Sequence, residues 1–377
     1  MNPKILALYL PQYHETDYNS VWWGDGYTEW TACRAAKPLF KKHYQPRIPI
    51  DKNYYDLSKV ESIKKQANMA KQYGIYGFVV YQYYSCNGCD YGKRIGNQGS
   101  LLLNVPTELL RDHHEIDIPY CLCWANHDWR KNWFGYDSQM LWQQEYGDEN
   151  DWREYFEYNL TFFKDERYLK ISNKPVFFIF TVWHFKQIKQ FMECWNKWAR
   201  ENGFDGIYFV KTSDAHAGDD LDGFDATYRR EPFYTFAKGF TKANFIWRVL
   251  RIRTTRYINK LLKNTGKGII SYTCNYDRLW KNIVARDDIG SHIIPGVIAD
   301  WDNSARKLYD AQLLTGVTPK KFGFYFKKLF DKCRAKDVPF IVINAWNEWA
   351  EGAYLEPDEK YKYEYLLAIK SAKKFEG

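Results

Sequence analysis

Residues 76–84 read YGFVVYQYY, a run that carries no charge on either alternate set of positions. A strand with one wet face alternates apolar and polar residues. A strand apolar on both parities is covered on both faces, the condition of a parallel sheet flanked by helices. Outward from this run the same texture recurs as ILALYL (5–10), PYCLCWAN (119–126), PVFFIFTVW (175–183), GIYFVK (206–211), FDATYRR (224–230), IIPGVIADW (293–301) and FIVINAW (340–346). Helical spacing fills gaps at 57–73, 151–163, 185–202 and 319–336, with a last pattern near 360–374. Strands alternating with helices pair in parallel through crossovers. Eight such units predict an α/β fold, a (β/α)8 TIM barrel. A doubly wound sheet would carry a glycine-rich nucleotide turn after a strand, and the chain has neither GxGxxG nor GxxxxGK[ST]. No repeat of fixed period and no low-complexity linker divides the chain, so one domain over 1–377 is expected.

The composition agrees with a large packed core. The 377 residues include 16 Trp, 31 Tyr and 24 Phe, which excludes a disordered or fibrous protein. Lys and Arg number 54 against 46 Asp and Glu, a net charge of +8. The first apolar run, Ile5 to Leu10, is too short for a signal-peptide core or a membrane span. Eight cysteines are sparse for this length, so reduced thiols and a cytoplasmic location are expected. Cys86 and Cys89 form a CxxC without the second pair of a zinc site, and Cys121 and Cys123 fit one face of a strand.

One stretch stands apart. Between Lys238 and Lys267 lie nine basic residues and no acidic one, interleaved with Phe245, Ile246, Val249, Leu250, Ile258, Leu261 and Leu262 at helical spacing. This basic amphipathic segment belongs to an insert at about 236–290 between the sixth and seventh strands. It suits an anionic membrane surface, which would place the protein peripherally at the inner membrane, or a phosphorylated or acidic partner. A helix packed on the barrel with a solvated basic face is the plainer reading. No nucleic-acid-binding motif accompanies the charge, so no nucleic-acid partner is expected.

Active sites of such barrels gather at the C-terminal ends of the strands. Here those ends are loaded with aromatic rings, carboxylates and carboxamides. The first carries Tyr9 and Gln12, then Trp23, Glu29 and Trp30; the second carries Tyr83; the third carries Trp124, Asn126 and Asp128. Asp214 and His216 follow the fifth, Trp301, Asp302 and Asn303 end the seventh, and Asn347 and Trp349 follow the eighth. Flat apolar faces beside bidentate polar groups match a sugar ring and its hydroxyls, so an oligosaccharide or polysaccharide is the expected substrate. Glu348 and Glu351 are the sharpest candidates, because three-residue spacing in a helical turn or tight loop brings both carboxylates to one side. Glycoside chemistry uses such pairs. Acidic residues also favour the first turn of a helix for its dipole alone.

ALYLPQYHETDYNSVWWGDGYTEW at the N-terminus, PYCLCWANHDW in the third unit, GVIADWDNSAR in the seventh and NAWNEWAEGAYLEPD in the eighth resemble the WbsX-like proteins of polysaccharide biosynthesis loci. That group is similar to glycoside hydrolase family 99, the endo-α-mannosidase family. The resemblance runs from residue 7 to about residue 365 and covers the basic insert least. It implies a (β/α)8 barrel with Asn347 and Glu348 in the site and the two glutamates doing the chemistry. Glu348 would be the base on the substrate 2-hydroxyl, giving a 1,2-anhydro-sugar. Glu351 would be the acid and then the base at the leaving oxygen. No metal or cofactor is implied. Where WbsX-like chains carry Asn-Glu-Asn-Trp after the third strand, this one reads Asn126, His127, Asp128, Trp129, a change that bears on a subsite.

Three functions are open on this reading. A retaining glycoside hydrolase or transglycosylase on a mannose-like glycan follows from the glutamate pair. A glycosyltransferase of lipopolysaccharide, O-antigen or capsule synthesis follows from how the WbsX-like group is labelled, though Asp220 with Asp222 and Asp300 with Asp302 are Asp-x-Asp triplets at chance frequency. The third is a non-catalytic glycan-binding barrel.

Overall fold

The computed structural model describes residues 2–96, 99–131, 139–214, 217–262 and 265–373; His216 and Lys263 lie outside them. Eight strands form the barrel: β1 Lys4–Tyr9, β2 Gly77–Ser85, β3 Tyr120–Trp124, β4 Lys174–Ile179, β5 Tyr208–Ser213, β6 Ala226–Arg229, β7 Ile293–Ile298 and β8 Phe340–Asn344. Each pairs in parallel with the next. The ring closes where Leu6 of β1 stands opposite both Gly77 of β2 and Val342 of β8. Every strand overlaps a run read from the sequence, because burial on both faces leaves an unbroken apolar signature; the ends agree within two residues except that β4 and β7 stop four and three residues short of their runs.

Among the described residues the α-helices of eight residues or more are α1 Val60–Gln72, α2 Val105–Asp112, α3 Glu149–Phe163, α4 Ile188–Glu201, α5 Lys242–Leu262, α6 Tyr276–Ala285, α7 Pro319–Ala335 and α8 Glu364–Lys373. Local chemistry fixes their starts. The Asp148 side chain accepts the Asn150 and Asp151 N–H groups ahead of α3, and Thr318 caps α7 with Pro319 at its first position. α4 buries Phe191, Trp195 and Trp198 on one side, with Trp195 4.9 Å from Phe177 of β4 and 5.3 Å from Tyr155 of α3 between ring centroids.

Between β5 and β6 the described residues hold no helix. That connection carries Gly218, Gly223 and five aspartates, a composition that favours turns. At the β6–β7 seam a Cβ on Gly296 would stand 2.0 Å from the Arg229 carbonyl oxygen, so only glycine permits that strand spacing.

The insert after β6 contains a short helix, Phe233–Lys238, then α5, a strand at Tyr272–Asn275 and α6. The strand pairs in parallel with Gln312–Thr315, which follows β7, so the insert is tied to the C-terminal end of the barrel. All eight cysteines are free thiols, with Cys121 and Cys123 buried in β3. Among the described residues no helix is long and apolar enough to cross a membrane.

Candidate active site

A cleft of about 360 Å³ opens at the C-terminal ends of the strands. Trp23, Tyr81, Tyr83, Trp129 and Phe180 form its aromatic walls; Leu10, Gln12, Ala125, His127, Leu141 and Asn344 complete the apolar and neutral lining. Asp128, Arg130, Arg230, Arg306, Glu348 and Glu351 supply its charge. The rings brace one another, with Tyr83 edge-on to Trp129 at 4.9 Å and Trp23 stacked on Tyr27 at 5.4 Å.

The two glutamates come from the turn that follows β8. Asn347 and Glu348 pair antiparallel with Tyr354 and Ala353, and a single 3-10 turn, Trp349–Glu351, lies between them. Gly352 closes the turn at φ +63°, where an added Cβ would meet the Asp302 N–H and the Arg47 guanidinium at 3.0–3.1 Å. The turn is held from below. The Asn347 side chain accepts the Leu10 N–H at 2.7 Å and donates to the Leu10 carbonyl at 3.0 Å, which fastens it to the end of β1. The Tyr13 hydroxyl donates to the Asn347 carbonyl and accepts the Trp349 N–H. Glu356 receives Trp346 Nε1, Trp349 Nε1, the Tyr55 hydroxyl and Gln66 Nε2 at 2.7–3.1 Å. Burial pushes its carboxyl up to about 7 against those four donors.

Replacing Asn347 with Leu would strand a buried N–H and a buried carbonyl. At about 1–3 kcal/mol for each orphaned group, the variant is expected to lose about 2–6 kcal/mol, read as a lower denaturant midpoint at unchanged slope.

Arg306 joins the carboxylates. Its guanidinium stands 2.8 Å from Glu29, 2.8 Å from Glu351 and 3.5 Å from Glu348. Glu348 is buried at the floor of the cleft, whereas Glu351 is 23 % exposed at its rim. Burial raises the Glu348 carboxyl well above the usual carboxylate range; Glu351 and Glu29 add to the rise and Arg306 opposes it. Glu29 is raised by burial too, against Arg306. The arrangement is three carboxyl groups around one cation, with two carboxyls raised by burial, Glu348 and Glu29, and the third, Glu351, near solvent. That can move protons to and from a bound glycosidic bond.

The structure brings Gln12, Trp23, Tyr83, Asp128, Glu348 and Glu351 to the cleft and sets the other sequence candidates behind its wall. Tyr9 points outward and donates to Gln66 of α1. Glu29 is fully buried against Arg306. Trp30 donates to the Tyr55 carbonyl, and Trp349 stacks on Tyr354 at 3.8 Å. Trp124 donates to the Tyr84 carbonyl and packs on Tyr155 and Phe191.

The carboxamides serve backbone. Asn126 pairs with the N–H and carbonyl of Thr181 at 2.7 and 2.6 Å, joining β3 to β4 as Asn347 joins β8 to β1. Asn303 accepts the Gln312 N–H, and Trp301 packs edge-on against Phe233. Asp302 receives His43 at 2.8 Å, lies 3.5 Å from Arg47, and gives its N–H to the Glu351 carbonyl, so it braces the turn that carries Glu348 and Glu351. Its partner in the triplet, Asp300, is committed to Arg47 at 2.8 Å. Among the described residues no group of three or more His, Cys, Asp or Glu is placed to hold a metal.

Sequence reasoning missed Arg306, Arg230, Tyr81, Trp129 and Phe180. Arg306 stands inside the quoted GVIADWDNSAR motif, and a basic residue there was a usable signal. Arg230 lies over the rings of Phe180 and Phe233 at 4.5 and 4.3 Å and pairs loosely with Asp214 at 3.6 Å.

The fold has solved counterparts. A glycoside hydrolase family 99 endo-α-mannosidase from Bacteroides thetaiotaomicron superposes with a TM-score of 0.53 at 16 % identity, over 98 % of this chain and 95 % of that one. A protein described as glycoside hydrolase-like gives the same TM-score at 11 % identity, over 98 % and 94 %. At such identities the likeness is one of fold. An aromatic cleft and clustered carboxylates stand at the strand ends of this barrel. The chain belongs to the family described as Glycosyltransferase WbsX, whose model matches residues 5–369. It is 27 % identical over 373 residues to WxcX of Xanthomonas campestris pv. campestris, described as uncharacterized, in two strains. The match takes in 98 % of this chain, which spans about half the length of those relatives.

Proposed function

We propose that residues 1–377 act as one domain, a retaining glycoside hydrolase or transglycosylase that works on a mannose-like glycan of a bacterial surface-polysaccharide pathway in the cytoplasm. The observation that carries this reading is the Glu348–Arg306–Glu351 cluster under an aromatic cleft. In the first step Glu348 takes the proton of the 2-hydroxyl, whose oxygen attacks C1 as the C1–O bond breaks, and Glu351 gives a proton to the departing oxygen. Water then opens the 1,2-anhydro-sugar at C1, giving its proton to Glu351, while Glu348 returns its proton to O2. Both glutamates end as they began. The depth of each group favours its role. A carboxylate made more basic by burial is better matched to a hydroxyl proton, and an acid at the rim meets a leaving group on its way to solvent.

The stereochemistry and the pH profile test this. Proton NMR of the first product released from mannose-containing oligosaccharides is expected to show the anomer of the substrate; inversion would contradict the two-step route. Below its raised pKa Glu348 is protonated and cannot act as base. The acid limb of kcat/KM is therefore expected at least one unit above the roughly 4.3 of an exposed glutamate, and a limb near that ordinary value would contradict the assignment.

A second reading, transfer from a sugar nucleotide, is favoured by the family's description as a glycosyltransferase.

A further inference from the structure

α5 is held on one side and bare on the other. Arg248 donates to Gln312, Thr255 is buried against Ser271, and Asn259 donates to Asp310 and to the Ile269 carbonyl. These residues share one helix face, seated on Ile269 and Ser271 of the insert and on Asp310 and Gln312, which follow β7 a few residues beyond Arg306. At 100° per residue, Ile246, Leu250, Tyr257 and Leu261 fall on the opposite face, with Trp247 beside them. These five side chains are 49–71 % exposed. Arg253, Arg256 and Lys260 flank the stripe on one side and Arg251 on the other, all exposed. No acidic residue occurs from 238 to 267. An outward stripe of aliphatic and amphipathic aromatic residues flanked by cations, three on one side and one on the other, is the pattern that lies in the plane of a membrane interface: the apolar side chains enter the acyl boundary and the cations stay with anionic headgroups.

We propose that α5 docks the protein on an anionic lipid bilayer surface, with Ile246, Trp247, Leu250, Tyr257 and Leu261 inserted and Arg251, Arg253, Arg256 and Lys260 on the headgroups. The unopposed positive charge selects this occupant over an uncharged surface or a second copy of the equally basic helix. The docking does not depend on the chemistry of the cleft.

Flotation of the full chain with vesicles of phosphatidylglycerol and phosphatidylethanolamine, against vesicles of phosphatidylcholine, tests it. Binding is expected to the anionic vesicles at low salt and to weaken at high salt. Arg251→Gln and Arg253→Gln are each expected to lower the partition roughly fivefold. Leu250→Asp with Leu261→Asp is expected to lower it by about a hundredfold, with the circular dichroism and thermal midpoint of the parent retained. Absence of binding to anionic vesicles at low salt, or equal binding by the Asp variant, would overturn the proposal. So would a lipid-free dimer that the Asp variant splits, since that assigns the stripe to a second copy.

Discussion

Glu348→Gln and Glu351→Gln are each expected to lower kcat by about 10²–10⁴-fold while the protein stays folded. Glutamine keeps the volume of the side chain and removes its ability to carry a proton to or from the substrate. The folded state should tolerate Glu348→Gln in particular, because the native carboxyl is buried and inclined to hold a proton, and a neutral carboxamide does not have to be desolvated as an ion. The two losses should not add, since each glutamate serves the same two-step cycle and losing either stops it. Steady-state kinetics on both single variants and the double variant check this. A double variant slower than either single by the product of their factors would mean that the two groups act in independent steps.

The second large effect is expected at Arg306, and it is one of stability. Arg306→Met leaves Glu29, which is fully buried, without its counter-charge and weakens the restraint on Glu348. Removing one member of a buried ion pair costs about 3–5 kcal/mol. The sign of its pH dependence follows from linkage. A buried carboxyl deprived of its cation keeps its proton above the unfolded value of about 4.3, so the folded state binds more protons and stability falls as pH rises through that window. Urea midpoints of the variant should lie near those of the parent in acid and well below them at neutral pH. Adding Glu29→Gln should recover much of the difference, because the carboxamide needs no counter-charge. An equal loss at both pH values, unrelieved by Glu29→Gln, would mean that packing of the arginine stem, and not its charge, is what the site requires.

The strands were legible because burial on both faces writes itself into an unbroken apolar run, and the position of each strand end located the cleft. What the sequence did not disclose was parity. Successive side chains on a strand point to opposite faces, so a one-residue difference decides between the cleft and the outer layer. Leu10 and Gln12 face the cleft and Tyr9 does not; Tyr81 and Tyr83 face it, while Tyr84 stacks on Tyr155 at 4.0 Å; Ala125 and His127 face it, while Trp124 and Asn126 turn away. Aromatic and carboxamide residues were named there for their chemistry, and chemistry does not carry direction. The two asparagines make the point most clearly. As sugar ligands they would be bidentate, and they are bidentate, but toward the backbone of the neighbouring strand end.

The carboxylate pair was legible for a different reason. Its three-residue spacing survives whether the segment forms a helix or, as here, a single 3-10 turn. Arg306 was visible only as a basic residue in GVIADWDNSAR; what it pairs with was not, because Glu29, Glu348 and Glu351 are distant in sequence and meet only when the first and last strands close the barrel. In the insert the helical spacing announced α5, and only its hydrogen bonds to 269–312 fix which of its faces is covered.

The most direct test of the central claim is mass spectrometry of products formed from mannose-containing oligosaccharides and bacterial surface glycans, with and without sugar nucleotides, by the parent, Glu348→Gln and Glu351→Gln. Shortened or rearranged glycans formed without a nucleotide and lost in both variants are the result predicted here. Products that appear only with a sugar nucleotide, or that persist in both variants, would contradict glycosidic-bond chemistry at Glu348 and Glu351.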